Sequence, residues 1–185
     1  FRLLGTRGGL RLRSWQRGCA ELGLQPFWRL ELGNYVLFNC VSTLVALPFF
    51  EADLLPAEKL AWEELRAQHL AEIRAAFRAL RPDQRVLFFC HDPTALPFLW
   101  RDEVVRGKLV QIERTIIGHL HSPLYLRLSQ LLCGFPVMRR FGHSVRRMST
   151  ALNEARGWRD FHVLLCPSLA GIDLLKDGGF YTAEL

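Results

Sequence analysis

Long uncharged apolar runs and paired cysteines are both missing from this sequence of 185 residues. No stretch reaches the roughly 18–20 uncharged apolar residues that a membrane-spanning helix requires. The nearest, residues 35–50, is interrupted by polar residues and a proline. The five cysteines contain no Cys-x-x-Cys pair, and their odd number argues against a complete disulfide framework. The sequence therefore predicts no membrane span, and it predicts free thiols in a reducing compartment such as the cytoplasm.

Acidic residues are scarce at the start of the chain. The first 29 residues hold six arginines and a single acid, Glu21, whereas the remainder is close to neutral within an overall net charge of +6. An Arg-rich, acid-poor start is typical of an organelle transit peptide or of a nucleic-acid-binding arm. We favour the simpler interpretation of a solvated loop or helix face. Because glycines interrupt this part of the chain, we predict a basic irregular segment over residues 1–29, followed by one domain over residues 30–185.

The rest of the composition supports a packed α/β domain. Half of the residues are hydrophobic and 23% are charged, which is typical of a globular protein with a core. Apolar and β-branched runs predict strands over residues 30–43, 86–90, 109–117, 162–166 and 180–185, and helical spacing predicts helices over residues 56–80, 95–105, 123–132 and 143–158. In the longest helix the predicted buried face holds Leu60, Leu65, Ile73, Phe77 and Leu80. This alternation predicts an α/β layered domain, in which ligands bind at the carboxyl ends of the strands.

Three histidines follow two of the predicted strands. His91 comes directly after the run from Val86 to Cys90, and the tetrapeptide Gly118-His119-Leu120-His121 follows Thr115-Ile116-Ile117. Histidines at i and i+2 can converge where the backbone bends, and the preceding glycine permits close approach. Neutral imidazole suits zinc, iron, manganese or nickel. The pattern predicts a metal site, and three histidines alone could hold one zinc with an open coordination position.

These residues resemble the last two motifs of the calcineurin-like metallophosphoesterases. His91, in Phe-Phe-Cys-His-Asp-Pro, is similar to the isolated strand-end histidine of that family, and Thr-Ile-Ile-Gly-His-Leu-His-Ser-Pro is similar to its Gly-His-x-His motif. The resemblance implies that His91 and His119 bind one metal ion and His121 the other. It covers roughly residues 30–185, and its specificity is high at position 91 and positions 118–121.

The resemblance also implies a fold and an activity. The expected fold is a layered α/β-β/α sandwich of mixed sheets flanked by helices, here incomplete. The expected activity is hydrolysis of a phosphate mono- or diester by a metal-bridging hydroxide, with two divalent ions of manganese, iron or zinc. The family's earlier motifs, Asp-x-His, Gly-Asp-x-x-Asp and Gly-Asn-His-Asp/Glu, are absent from this chain, which begins with Phe1. We therefore expect the carboxyl-terminal part of a longer enzyme, with its catalytic residues upstream and little hydrolysis by this chain alone.

Two other functional classes stay open. One is a non-catalytic, degenerate phosphoesterase-fold protein whose basic start binds a partner or nucleic acid, and the other is a mononuclear zinc hydrolase with three histidine ligands. A thiol nucleophile at Cys90 beside His91 is disfavoured, because adjacent strand residues point to opposite faces. The nearest acids in sequence, Asp92 and Glu113, form no spaced ligand motif, and His69 and His162 have no predicted partner.

Overall fold

Five strands form a single mixed sheet in the computed structural model, which describes residues 10–118, 131, 133–134, 136–137, 149–150, 153, 155–166 and 182. The strands lie in chain order: β1 (Arg29–Leu32), β2 (Tyr35–Cys40), β3 (Arg85–Cys90), β4 (Ile112–Ile117) and β5 (Val163–Leu165). Strand β1 is antiparallel to β2, and β2 through β5 run parallel to one another. The predicted α/β class is confirmed.

Helices connect the strands and cover the sheet. The α-helices of the described residues are α1 (Leu12–Leu22), α2 (Ser42–Val45), α3 (Lys59–Arg78), α4 (Leu96–Arg101) and α5 (Glu103–Arg106). Short 3₁₀ helices occupy Leu47–Phe49, Glu51–Asp53, Pro56–Glu58, Pro93–Ala95, Leu109–Gln111 and Ala155–Phe161. Across the part of the chain that the structure describes, none of the helices combines the length and the apolar character that crossing a membrane requires.

The prediction of irregular structure at the start of the chain is wrong for α1. Leu12 and Trp15 lie one turn apart and pack against a small cluster around Trp62, whose ring centroid is 6.0 Å from that of Trp15. The helix ends at Gly23, which has φ of +60° and donates its N–H to the Cys19 carbonyl. A glycine in this conformation is a common helix terminator. Leu12 and Trp15 are half-buried by this contact, while Arg13 and Arg17 of the helix are exposed.

The predicted strand over residues 30–43 is a hairpin followed by a short helix. β1 and β2 are joined by a two-residue turn at Gly33 and Asn34, and Leu32 pairs with Tyr35 across it. Gly33 has φ of +60°, which a tight two-residue hairpin turn demands. The strand prediction is also wrong from Ser42 onward, because α2 begins there, with Val41 alone between it and the end of β2.

Other predicted elements are confirmed with adjusted ends. The long helix runs as α3, β3 begins at Arg85, and the predicted strand ending at Ile117 is β4 preceded by a 3₁₀ turn. The predicted helix over residues 95–105 divides into α4 and α5 at Asp102, whose carboxylate accepts the N–H groups of Val104 (3.0 Å) and Val105 (3.4 Å). Most of the predicted elements at 123–132 and 180–185, and of the helix at 143–158, fall outside the described residues.

The core lies on one face of the sheet, because alternate strand residues point the same way. Phe38 and Phe88 are fully buried there and meet Phe77 from α3, with Phe38 and Phe77 centroids 4.9 Å apart in an edge-to-face arrangement. Helix α4 and the segment of Trp158 and Phe161 complete this cluster. The alternate strand residues Leu37, Phe89 and Ile116 on the opposite face are only half-buried. Leu60 is 68% exposed, so its predicted place in the core is wrong.

Candidate metal centre at the strand ends

The parallel pairing of β2, β3 and β4 brings their carboxyl ends to one edge of the sheet. Cys40 and Cys90 are partners in the register of β2 and β3, and β4 ends at Ile117 beside them. His91 follows β3 and is exposed at this edge. The Gly118 N–H donates to the His91 carbonyl oxygen over 3.1 Å, which continues the β3–β4 pairing one residue beyond the strands.

The His91 imidazole occupies the space beside Gly118 that a side chain would need. A Cβ atom at position 118 would lie 2.9 Å from His91 Nδ1 and 3.3 Å from its Cε1. A contact below 3.0 Å is not tolerated, so any larger residue would displace the ring. The glycine of the Gly-His-x-His motif therefore lies against the isolated histidine. His119 and His121 lie outside the described residues.

The nearby acids have other contacts. Oδ1 of Asp92 accepts the Thr94 N–H over 2.9 Å and caps the 3₁₀ helix that follows. Glu113 hydrogen-bonds the hydroxyl of Tyr35, which raises the pKa of that hydroxyl. Since Tyr35 begins β2, Glu113 belongs to the opposite end of the sheet from His91. Within the described ranges, three or more His, Cys, Asp or Glu side chains nowhere converge as a group able to hold a metal ion.

Cys90 is a buried structural thiol at the same edge. A hydrogen bond to Cys40, together with burial, raises the pKa of Cys90 well above its usual range. The Sγ–H of Cys90 donates to the Asp92 carbonyl oxygen over 3.2 Å. A thiol that is held neutral is a poor nucleophile.

His69 supports this edge from α3, although the sequence predicts no partner for it. The side chain is 2% exposed, and its Nε2 accepts the N–H of Val41, the residue after β2, over 2.8 Å. Its Nδ1 lies 3.4 Å from Glu72 Oε2 and carries the ring proton, because Nε2 is an acceptor. The adjacent Ser42 accepts the Asp92 N–H at Oγ over 3.2 Å. His69 thus holds Val41 at the end of β2, and the neighbouring Ser42 connects this segment to Asp92, the residue after His91.

The spacing of α3 contains the signal that could have identified His69 as a core residue. His69, Ile73 and Phe77 stand four residues apart and all three are buried. Residues at this spacing share one face of a helix. A histidine on such a face needs a partner for each ring nitrogen, and the end of β2 with Glu72 supplies both.

The burial of His69 makes the stability of the protein depend on pH. Burial lowers the pKa of His69, and the opposing effect of Glu72 is smaller. The folded protein therefore binds this proton less readily than the unfolded chain, so the contribution of His69 is fully present above pH of about 6.5. This stabilising contribution is lost as the pH falls through the lowered pKa of His69 in the folded protein. We expect urea unfolding to show a falling free energy of unfolding between pH 7.5 and pH 5.

The matched variant for this prediction is His69→Gln, which keeps an acceptor on a side chain of similar reach but does not titrate. Its free energy of unfolding should fall less than that of the wild type over the same pH range. Glu72 is the charged group that faces the ring, and it is the same in both proteins. Equal pH dependence in the two proteins would show that His69 is not the titrating group.

His162 also differs from its prediction, because it precedes β5 instead of forming its first residue. It adopts a left-handed backbone with φ of +47°, and its Nδ1–H donates to the Ile112 carbonyl oxygen over 3.0 Å. Ile112 is the first residue of β4, so His162 lies at the amino ends of the strands. The structure does not bring it to His91.

Of the predicted site, His91 and Gly118 are the residues that the structure describes, and it brings them into contact. His69 and Val41 extend this edge in a way that the sequence does not predict. Comparisons of the chain with protein-family models, with curated proteins and with solved structures found no match.

Proposed function

We propose that this chain contributes the histidine side of a two-ion phosphoesterase centre. The observation that carries the proposal is the close fit of His91 against Gly118 at the carboxyl ends of neighbouring parallel strands. The resemblance to calcineurin-like metallophosphoesterases requires that a strand-end histidine and the Gly-His-x-His motif lie side by side. The hydrogen bond between Gly118 and His91 supports that requirement through the backbone, independently of the motif itself.

The side chains at this edge suit a divalent metal ion. His91 is exposed and carries ring nitrogens, the usual protein ligands of zinc, iron and manganese. His91 with His119 would hold one ion and His121 the other. The chemistry that two ions supply when bound is polarisation of the phosphoryl oxygens and a lower pKa of the attacking water. Within the chain, Gly118 fixes where the His91 ring can sit, and Asp92 caps the turn that follows it.

The sheet itself supports a larger layered fold. Leu37, Phe89 and Ile116 are half-buried on the face opposite the α3 core, and at the β1 edge Leu30 and Leu32 are 48% and 44% exposed. Apolar surface of this kind is typical of a face that packs against another layer. We propose that β1 to β5 form one sheet of the α/β-β/α sandwich that the family resemblance implies.

The proposal gives the class of substrate, and the cysteines indicate the compartment. A two-ion centre of this kind acts on a phosphate mono- or diester, and the resemblance favours neither. The cysteines are free thiols, and Cys40 and Cys90 are buried as a pair without a disulfide. Free paired thiols support a reducing compartment such as the cytoplasm.

The test is metal binding by the full 185-residue chain, measured by calorimetric titration with Mn²⁺ and Zn²⁺. Because His91 is a ligand in this proposal, His91→Ala should lower the affinity by at least about tenfold. His162→Gln is the matched control, since it changes a histidine at the amino ends of the strands, away from His91, and should leave metal affinity unchanged. Hydrolysis of bis-p-nitrophenyl phosphate should be slow and metal-dependent.

Other results would favour the competing functions. A chain that binds neither ion, or binds both equally well after His91→Ala, would contradict the proposal and favour a non-catalytic binding protein. One zinc per chain, lost on His119→Ala and accompanied by rapid hydrolysis, would indicate a mononuclear zinc hydrolase. The stoichiometry of the titration separates these outcomes.

A further inference from the structure

We infer that a second site, an open cavity beside β4 and β5, binds a small molecule through an oxyanion group such as a phosphate. The cavity measures about 780 Å³. Its polar wall is formed by Arg114, Arg159, His162 and Trp158, and its apolar wall by Leu131, Val163 and Leu164. This volume lies within the range of small-molecule sites, which is about 300–1,000 Å³.

Among the described residues, the two arginines of the wall have no acidic partners. Neither Arg114 nor Arg159 forms an ion pair with a carboxylate within the described residues, and the Arg114 guanidinium donates only to the Glu113 carbonyl oxygen, over 3.0 Å. Asp160, the acid next to Arg159, accepts the Trp100 indole N–H over 2.7 Å. Two guanidinium groups on one cavity, with no acid among the described residues of its wall, favour an anion that can accept from both.

An indole N–H in the same wall also lacks an acceptor. Trp158 is 3% exposed, and its Nε1 is buried without a hydrogen-bond partner. Buried donors are nearly always paired in folded proteins, whereas this N–H has no acceptor among the described residues of the chain. Its nitrogen has no surface open to the cavity, but the Trp158 residue lines the cavity, so the indole signal reports on a ligand bound there.

The backbone at His162 is strained at the edge of this cavity. Its φ of +47° is the single positive value among the described residues other than glycine. The Nδ1–H bond to Ile112 and the bond from the Thr115 N–H to the His162 carbonyl oxygen (3.3 Å) hold it there. Such strain concentrates at functional sites, where it places a side chain. Here the strained residue lines the same cavity as the two arginines.

This cavity goes beyond the proposed phosphoesterase function. Arg114 is the third residue of β4, and His162 directly precedes β5, so the cavity lies towards the amino ends of the strands. His91 and Gly118 lie at the carboxyl ends. Anion binding in the cavity therefore needs no metal ion, and it can be tested without one.

The experiment is a titration of the metal-free full chain, in chelator, with inorganic phosphate and separately with citrate, followed by two-dimensional NMR of the tryptophan indole N–H groups. Trp158→Phe identifies the indole signal of Trp158. We expect that signal to shift on titration, and Arg159→Gln to weaken binding by about tenfold or more, because a charge-assisted hydrogen bond is lost. Arg78→Gln is the control, since Arg78 is an exposed arginine at the end of α3 and away from the cavity wall.

Each result either supports or contradicts anion binding in the cavity. Binding of phosphate alone would assign a phosphate-bearing ligand, and binding of both anions an oxyanion of either chemistry. If Arg159→Gln and Arg78→Gln weaken binding equally, the effect is one of net charge and the inference is wrong. It is also wrong if the Trp158 signal does not move at saturating anion. Failure of the phosphoesterase proposal would leave both measurements unaffected, because neither uses a metal ion.

Discussion

Phe77→Ala is expected to lower the free energy of unfolding by about 3–5 kcal/mol, the usual cost of removing a buried aromatic ring. Phe77 is fully buried in α3, and its ring meets those of Phe38 and Phe88 at centroid distances of 4.9 and 6.2 Å. Phe38 and Phe88 belong to neighbouring strands, so the cavity would open where helix and sheet join. Urea unfolding followed by tryptophan fluorescence measures the change.

Leu60→Ala in the same helix is the matched control. Leu60 is 68% exposed, so its truncation should change the free energy of unfolding by no more than about 0.5 kcal/mol. The sequence predicts both residues on one buried face, whereas the structure buries Phe77 alone of the two. A cost for Leu60→Ala that approaches that of Phe77→Ala would show that the face of α3 assigned to the core is wrong.

The fold could be predicted where the local pattern agrees with the final packing. β3 is a continuous apolar run, and α3 carries buried residues at helical spacing, so both appear in the sequence. Helix α1 was not predicted, because Gly18 and Gly23 favour irregular structure and the helix is stabilised by the contact of Trp15 with Trp62. The strand over residues 30–43 was predicted as one element, although Gly33-Asn34 between two apolar runs is a local signal for a two-residue hairpin turn.

The candidate site could be predicted in part, for a topological reason. Parallel strands place their carboxyl ends at one edge, so residues that follow them meet, as His91 and Gly118 do. Contacts that depend on tertiary packing were not predictable in this way. His69 reaches Val41 from another element, and Glu113 pairs with Tyr35 because of the lateral position of β4 in the sheet. The sequence predicts where strands end, but it does not predict which side chains from different helices and strands contact each other.

Gly118→Ala is expected to weaken divalent metal binding by about 10–100-fold, as loss of a group that positions a metal ligand commonly does. The added Cβ would lie 2.9 Å from His91 Nδ1, so the imidazole must turn away from its present position. His91 is exposed and can move without opening the core, and the cost in stability should therefore stay within about 1 kcal/mol. Calorimetric titration with Zn²⁺ measures the metal affinity, and the NMR shifts of the His91 ring measure the displacement of the imidazole.

Gly18→Ala is the matched control for this substitution, because no atom lies within 4 Å of a Cβ at position 18. Gly18 is inside α1, where alanine is a better helix former than glycine by about 1 kcal/mol, so this variant should be neutral or slightly more stable. A His91 ring that shifts in Gly118→Ala while metal affinity stays unchanged would confirm the contact and contradict the metal role of His91. A ring that does not shift would contradict the contact itself. The two measurements therefore test the geometry of this edge and its proposed chemistry independently.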